Sequence, residues 1–556
     1  MTQRNATTAP RKRRQILLLL ALSGAAMSIP LIWPTLGWLQ YFALIPTAML
    51  LYGWTSDRTV RLRRLYGYGF WGFFWYGVVL FHWFIAMYPL DFAGLSPFPA
   101  AIVVFLGCVG MGFFQATMAG LVFVVFGWIA RLPWFSENAK RSLCFPFLAA
   151  ACWIILEWSQ TIGWVGVPWG RLCLGQRAYL PILQSASLLG SYFVDFLLVA
   201  INFLLAQVLL WAQTHDWKNP RTLVRQTSLW VACGLFLVNL GYGFLSFLPV
   251  MQKETDTVRV AVIQGNFSSQ EKWGAGYKET FARYASYSRA AAEQGAEIIL
   301  WPESAIPYYI LSESRESYRQ QIQDLANECG ATLLVGTFEE EERDGHEYFY
   351  NVIADFQQDG SLSETVYRKV HLVPFGEYVP WHDAIMTLIP PLASISMLED
   401  DLDAGDEMYV FTLPQGTVGA LICFDSIYES LARDSVRNGA QILCLGTNDS
   451  WFLDSAAIYE HLGQAQLRAI ENGRWIARAA NTGVSAFLSS RGEIAQELPP
   501  MVEGYLIQDV PLHTQQTLYT RIGNLFVCLC LTGVSVGLVC AVRDYVRKRR
   551  ARAGCE

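Results

Sequence analysis

Eight long apolar segments, joined by loops in which basic residues are alternately plentiful and nearly absent, constrain this chain more than any other feature. They run over residues 15–33, 37–55, 68–88, 99–130, 143–158, 183–211, 227–249 and 522–542. Each is near the roughly 20 residues that a helix needs to cross a bilayer. The fourth is long enough for two spans, but Gly110 and Gly112 bring no polar turn residues with them, so it reads as one tilted or protruding helix. The basic start RKRRQ leads into the first apolar run without a small-residue cleavage pattern. That run is therefore expected to stay as the first span.

Short loops on the cytoplasmic side of a membrane collect Lys and Arg. Arg11, Lys12, Arg13 and Arg14 precede the first span, and Arg58, Arg61, Arg63 and Arg64 follow the second. Arg131, Lys140 and Arg141 follow the fourth, Lys218, Arg221 and Arg225 the sixth, and six basic residues from Arg543 to Arg552 the eighth. The intervening loops hold almost none apart from Arg171 and Arg177. The alternation puts both termini in the cytoplasm and the block between spans seven and eight outside; splitting span four would destroy it. The expected organisation is a membrane domain of seven helices at 1–250, an exocytoplasmic domain at 251–520, and an eighth helix with a basic tail at 521–556.

The chain is 53% hydrophobic and 16% charged over 556 residues, too apolar for a soluble enzyme, and the excess lies in the spans. Residues 251–520 read as an ordinary globular domain, long enough to bury its own core. The net charge of -6, with Lys and Arg gathered at membrane flanks, excludes a nucleic-acid partner. Of twelve cysteines only Cys329, Cys423 and Cys444 fall in the soluble block; the sequence leaves open whether Cys329 and Cys444 pair. There is no C-x-x-C pair, and the seven histidines form no cluster at ligand spacing, so neither a metal nor a cofactor is expected. The outward loop SQTIGWVGVPWGRLCLGQRAY (159–179) is aromatic and glycine-rich. It reads either as an interfacial anchor or as a lipid entry built from Trp164, Trp169 and Arg171.

Within the soluble block, 258–263, 297–301, 331–336, 350–355, 417–422, 441–446 and 484–489 read as short apolar strands, with helical patterns at 278–294, 315–329, 426–438 and 457–474. Residues 351–369 look like a hairpin turning at Asp359-Gly360. The alternation implies an α/β sandwich with helices outside. Glu303, Lys369 and Cys423 each stand just after a strand-like run, where they can converge at one sheet edge as base, oxyanion partner and nucleophile. Singly, each also has a structural reading: Cys423 as a small buried residue, Glu303 as a helix cap, Lys369 as a surface lysine. Cys444 lies inside an apolar run and is the duller thiol. In the segment EHLGQAQLRAIENGRWIARAANTG, the spacing of His461, Arg468, Glu471, Arg474 and Arg478 suggests ion pairs rather than a site.

A Glu, a Lys and a Cys in this order, each after a strand, resembles the nitrilase superfamily. The segments QGNFSSQEKW (264–273), WPESAIP (301–307), HLVPFGEYVP (371–380), ICF (422–424), NDSWF (448–452), RAANTG (478–483) and TLYTRIGN (517–524), set between seven spans and one, resemble the apolipoprotein N-acyltransferase family along essentially the whole chain. The resemblance implies a polytopic helical membrane domain of about eight spans with an exocytoplasmic nitrilase-like αββα sandwich, in a bacterial inner membrane. It implies Glu303, Lys369 and Cys423 as the catalytic triad, Glu377 as a second essential glutamate and Trp273 as a tryptophan near the site. The family often has Tyr then Glu after the cysteine, whereas Phe424 and Asp425 stand here. Asp425 then serves either as a helix-start cap or by orienting Lys369. The implied reaction moves an acyl chain from a membrane phospholipid, through a Cys423 thioester, to the α-amine of a diacylglyceryl-cysteine on an apolipoprotein. The alternative is a membrane-tethered amidase that uses water. The apolar stretch 386–398 reads equally as a lid touching lipid or as core.

Overall fold

The structure, a computed structural model, describes residues 8–56, 60–90, 96–136, 143–163, 166–248, 256–268, 271, 276–379, 387 and 401–553. Trp164, Trp273 and nearly all of 386–398 lie outside the described residues. Among those described, seven helical stretches are long and apolar enough to cross a membrane: Arg13–Ile32, Pro34–Thr55, Leu62–Met87, Pro97–Ile129, Ser191–Ala212, Thr227–Ser246 and Leu525–Ala551. The segment expected as a fifth span is the 16-residue helix Cys144–Ser159, about 24 Å long at 1.5 Å per residue and shorter than the hydrocarbon. It differs because its end is capped by protein. Glu157 accepts hydrogen bonds from Trp153 Nε1 at 2.8 Å and from the Leu172 backbone N–H at 3.3 Å. Pro97–Ile129 runs unbroken through both glycines. A Cβ on Gly77 would come within 2.5 Å of the Gly112 Cα, so these glycines let two helices touch backbone to backbone.

Two six-stranded sheets follow. The strands are β1 Thr257–Gln264, β2 Ile298–Leu300, β3 Thr332–Arg343, β4 His346–Phe356, β5 Tyr367–Arg368, β6 Val410–Leu413, β7 Gly416–Ile422, β8 Ile442–Thr447, β9 Ile476–Ala480, β10 Ser485–Leu488, β11 Ile494–Leu498 and β12 Gly504–Pro511. The sheet orders are β12-β1-β2-β3-β4-β5 and β11-β10-β9-β8-β7-β6. From β12 to β5, and again from β6 to β11, the pairings run antiparallel, parallel, parallel, antiparallel, antiparallel, so the two sheets repeat one plan. Alternate residues explain the layers. Val260, Val262, Ile298, Leu300 and Leu334 share one core with Val418, Ala420 and Leu445 of the second sheet. Ala261, Ile263, Ile299, Leu333 and Val335 pack with Tyr284 and Ile322 of the helices Tyr277–Glu293 and Glu316–Cys329. Strands buried on both faces read as continuous apolar runs, which is why the sequence exposes them.

The expected hairpin is present: β4 and β5 pair antiparallel, and Gly360 turns at a φ of 83°. β3 continues past its apolar run into Glu339–Arg343 because β4 pairs with it throughout. Cys329 and Cys444 are both free, Cys444 in the core.

The membrane helices and the sandwich meet across buried polar contacts. Arg171 is 1% exposed, donates to Ser191 Oγ at 2.6 Å and to Tyr192 Oη at 3.0 Å, and pairs with Glu429 on the helix Glu429–Arg437. Trp169 donates to Glu460 at 2.5 Å, and Tyr428 Oη donates to the Gly166 carbonyl at 2.5 Å. Trp169 and Arg171 therefore line no lipid entry; they are buried in the seam between the two parts. Burial alone would raise the Glu429 carboxyl, but Arg171, with Arg468 behind it, holds it down at about 2. Removing one partner of such a pair strands the other charge, so Arg171→Met is expected to cost about 3–5 kcal/mol, whereas the double variant Arg171→Met/Glu429→Leu recovers most of that loss. Thermal unfolding of the full-length protein in detergent checks both.

Candidate active site

The ends of four strands deliver the polar residues. β2 ends at Leu300 and the chain turns at Pro302-Glu303; β5 ends at Arg368 and leads into Lys369. β7 ends at Ile422 and hands over to Cys423, while β8 leads to Asn448 and Asp449. Gly336 of β3 lets the Glu303 turn lie close, since a Cβ there would meet the Pro302 carbonyl at 2.1 Å. Left-handed backbone recurs around the cluster: Ser304 has φ 43°, Phe375 φ 63° and Cys423 φ 47°. Such conformations in residues with a Cβ are sustained only where the surroundings over-determine them.

Lys369, 1% exposed, is the centre of the cluster. Its Nζ donates to Glu303 Oε1 at 2.9 Å and to Glu377 at 2.8 Å. Burial would push this ammonium down, but Glu303 and then Glu377 outweigh it and hold its pKa well above the ordinary value. Asn351 of β4 closes the ring, donating from Nδ2 to Glu303 at 2.8 Å and to Glu377 at 3.0 Å. The other Glu303 oxygen accepts from the Asn448 N–H at 2.8 Å, and the other Glu377 oxygen from the Val373 N–H at 2.8 Å. Every carboxylate oxygen of the pair thus has a donor.

Cys423 is partly exposed at the first position of the turn Cys423–Ile427. Burial, then the Glu303 carboxylate, push its thiol well up, while Lys369 opposes them more weakly. A raised thiol favours the protonated form, so a base beside the sulfur is what would make it reactive. Phe424 is buried and meets Tyr428 edge-on at 5.7 Å. Asp425 caps the turn and touches the chain on both sides of Lys369. It accepts from the Ile422 N–H at 3.0 Å, capping the turn, and from Tyr367 Oη at 2.7 Å and the His371 N–H at 2.9 Å, fixing the chain two residues on either side of Lys369.

Sequence reasoning named Glu303, Lys369, Glu377, Cys423 and Asp425, and the structure brings them together. It did not name Asn351, whose only signal is a polar residue in an apolar strand. It also set His461 aside, yet His461, Asp449 and Cys423 offer ligand atoms within 4.8 Å of one another. A metal does not suit this trio. Nδ1 of His461 faces Asp449 at 2.9 Å, Nε2 faces the Cys423 carbonyl at 3.1 Å, and the Arg478 guanidinium holds the second Asp449 oxygen at 2.7 Å. Both ring nitrogens already have protein partners, Asp449 and Arg478 at Nδ1 and the Cys423 carbonyl and Ser426 Oγ at Nε2, and a guanidinium beside the site repels a cation.

Two substitutions probe these contacts. Asn351→Ala leaves both glutamates short of a donor and is expected to cost about 1–3 kcal/mol in thermal or denaturant unfolding. Asp425, with burial as the main cause, titrates at about 6 when folded against an ordinary 3.8. Between those values the folded state keeps a proton that the unfolded chain has released, so the contribution of this group to stability is largest below 3.8 and declines as pH rises towards 6. Asp425→Asn is expected to remove that slope, as read from melting curves at pH 4 and pH 7.

Residues 23–204 match the apolipoprotein N-acyltransferase N-terminal domain, and residues 259–519 match the carbon-nitrogen hydrolase family. The chain is 33% identical over 403 residues to the apolipoprotein N-acyltransferase of Geobacter metallireducens, covering 72% of this chain and 74% of that protein. It is 28% identical over 533 residues to that of Gloeobacter violaceus, covering 95% of each. Among solved structures, an amidase from Nesterenkonia sp. is 19% identical with a TM-score of 0.37, over 49% of this chain and 97% of that one. From the membrane helices through both sheets, the matches carry one conclusion: this chain belongs to the apolipoprotein N-acyltransferase family of the nitrilase superfamily.

Proposed function

We propose that this membrane enzyme transfers an acyl chain from a phospholipid to the α-amine of the diacylglyceryl-cysteine that begins an apolipoprotein, with Cys423 as covalent relay. The observation that carries the reading is the placement of a thiol on a left-handed turn beside a buried Glu303–Lys369–Glu377 cluster, on a domain seated against membrane helices. In the first half-reaction Glu303 takes the thiol proton as sulfur attacks the ester carbonyl. Lys369 and the Phe424 backbone N–H stabilise the oxyanion, the carbon–oxygen bond breaks, and the lysophospholipid leaves with the proton from Glu303. In the second, the lipoprotein amine attacks the thioester, Glu303 takes a proton from nitrogen, and the carbon–sulfur bond breaks to give amide and thiol. Glu377 and Asn351 hold Lys369 and Glu303 in register, and Asp425 fixes the strand carrying Lys369. Trp273 is assigned to the substrate side by family resemblance.

Both substrates are anchored in lipid, so the site belongs on the exocytoplasmic face of the bacterial inner membrane with both termini in the cytoplasm. The Lys and Arg alternation among the loops supports that orientation. An amidase acting on small amides would use the same triad, but it has no need of the membrane helices.

Incubation of the purified protein with phospholipid and a diacylated lipopeptide is expected to add one acyl chain to the peptide amine, detected by mass spectrometry. Without peptide, an acyl adduct should accumulate on Cys423, and Cys423→Ala should abolish both products. Free fatty acid with unmodified peptide would establish the hydrolase instead.

A further inference from the structure

The turn that presents Cys423 needs restraint, because a φ of 47° in a residue with a Cβ is a strained, left-handed conformation. Its restraint comes from beneath. The Cys423 carbonyl accepts from Ser426 Oγ at 2.7 Å, and His461 Nε2 lies 3.1 Å from the same oxygen. A carbonyl can only accept, so Nε2 is the donor in that contact, with Ser426 Oγ 3.0 Å from the same nitrogen as its second partner. The ring is oriented from its other side. Asp449 Oδ1 lies 2.9 Å from Nδ1, and Asp449 is itself held by Arg478 at 2.7 Å and Thr447 Oγ1 at 3.0 Å. Burial would raise the Asp449 carboxyl, but Arg478 and then His461 hold it well below the usual range. Two aromatic rings enclose the imidazole: Trp169 from the membrane-side loop at 5.8 Å and Phe452 at 6.5 Å.

His461 is 1% exposed and lies on the protein side of the nucleophile. It therefore reaches the substrate only through Cys423. We propose that His461 is a positioning residue for acyl transfer: oriented by Asp449, it pins the Cys423 carbonyl and so fixes the left-handed turn that aims Sγ at the Glu303–Lys369 cluster. The contact falls on the carbonyl of the one residue in this turn with left-handed backbone, so loss of the ring frees that turn. Trp169 ties the same ring to the membrane part of the chain, so the position of the turn is referred to the seam between the two parts. The proposal rests on Cys423 being the nucleophile.

The test uses the full-length protein in detergent or nanodiscs with phospholipid and diacylated lipopeptide, comparing His461→Ala with His461→Gln, whose amide nitrogen reaches nearly the place of Nε2. His461→Ala is expected to lower kcat about 100-fold, with KM for phospholipid unchanged, as misplacement of a reacting atom does. His461→Gln is expected to recover at least about tenfold of that loss. Alkylation of Cys423 by iodoacetamide should slow in the alanine variant and recover in the glutamine variant, with melting temperatures close to wild type. Full kcat in His461→Ala, a glutamine variant no better than alanine, or losses that simply follow melting temperature would each overturn the positioning role. A wild-type protein that forms no Cys423 thioester would instead overturn the reading of the site.

Discussion

A buried ammonium cannot stand alone in a protein interior, and the arrangement around Lys369 is the answer to that constraint. One carboxylate would neutralise it; two leave a net negative charge, which Asn351, the Asn448 N–H and the Val373 N–H disperse over four oxygens. Each of those donors belongs to a different strand or strand end, so the cluster forms only when both sheets are in register. Glu303 is thereby held with one oxygen on the cation and the other on a backbone amide. Its position is set by the sandwich rather than by side-chain preference.

A second group of buried charges sets where the sandwich sits. Arg171 reaches from the loop between membrane helices to Glu429, which begins the helix immediately after the nucleophile turn. Tyr428, one residue earlier, bonds the Gly166 carbonyl with its hydroxyl while its ring stacks on His371 at 3.7 Å. One short segment, Cys423 to Glu429, thus carries the thiol, the turn cap and two links to the membrane domain. Cys423 lies beside the residues that attach the sandwich to the membrane helices.

What the sequence reveals follows from which physical effects leave periodic or compositional traces. Doubly buried strands leave apolar runs, spans leave long ones, and charge asymmetry marks the sides, so the sandwich, the membrane domain and the places of Glu303, Lys369 and Cys423 were legible. Asn351 and His461 were not. Their roles depend on which residues face each other across β4 and β5 and beneath β7, information held in pairing rather than in spacing. Arg171 was misread for the same reason, since a lone arginine in an aromatic loop carries no mark of the glutamate that waits for it 258 positions later. The edge strands β6, β11 and β12 were missed because half-exposed edges mix polar and apolar residues without a clear run.

The pairing of β1 with β12, from Thr257 opposite Pro511 to Gln264 opposite Gly504, has a bearing on how the protein is made. The first sheet lacks its outer strand until nearly all of the α/β domain has been synthesised, so β1 must wait as an open edge while the second sheet is made. β12 is followed within a few residues by the short helix Leu518–Ile522 and then the last membrane helix, which starts at Leu525. Insertion of that final helix tethers β12 at the bilayer surface and confines its search for β1 to a small volume. In this chain the last membrane helix serves as the clasp for the strand that completes the first sheet, and a β12 that failed to dock would leave β1 an unpaired edge facing its neighbours.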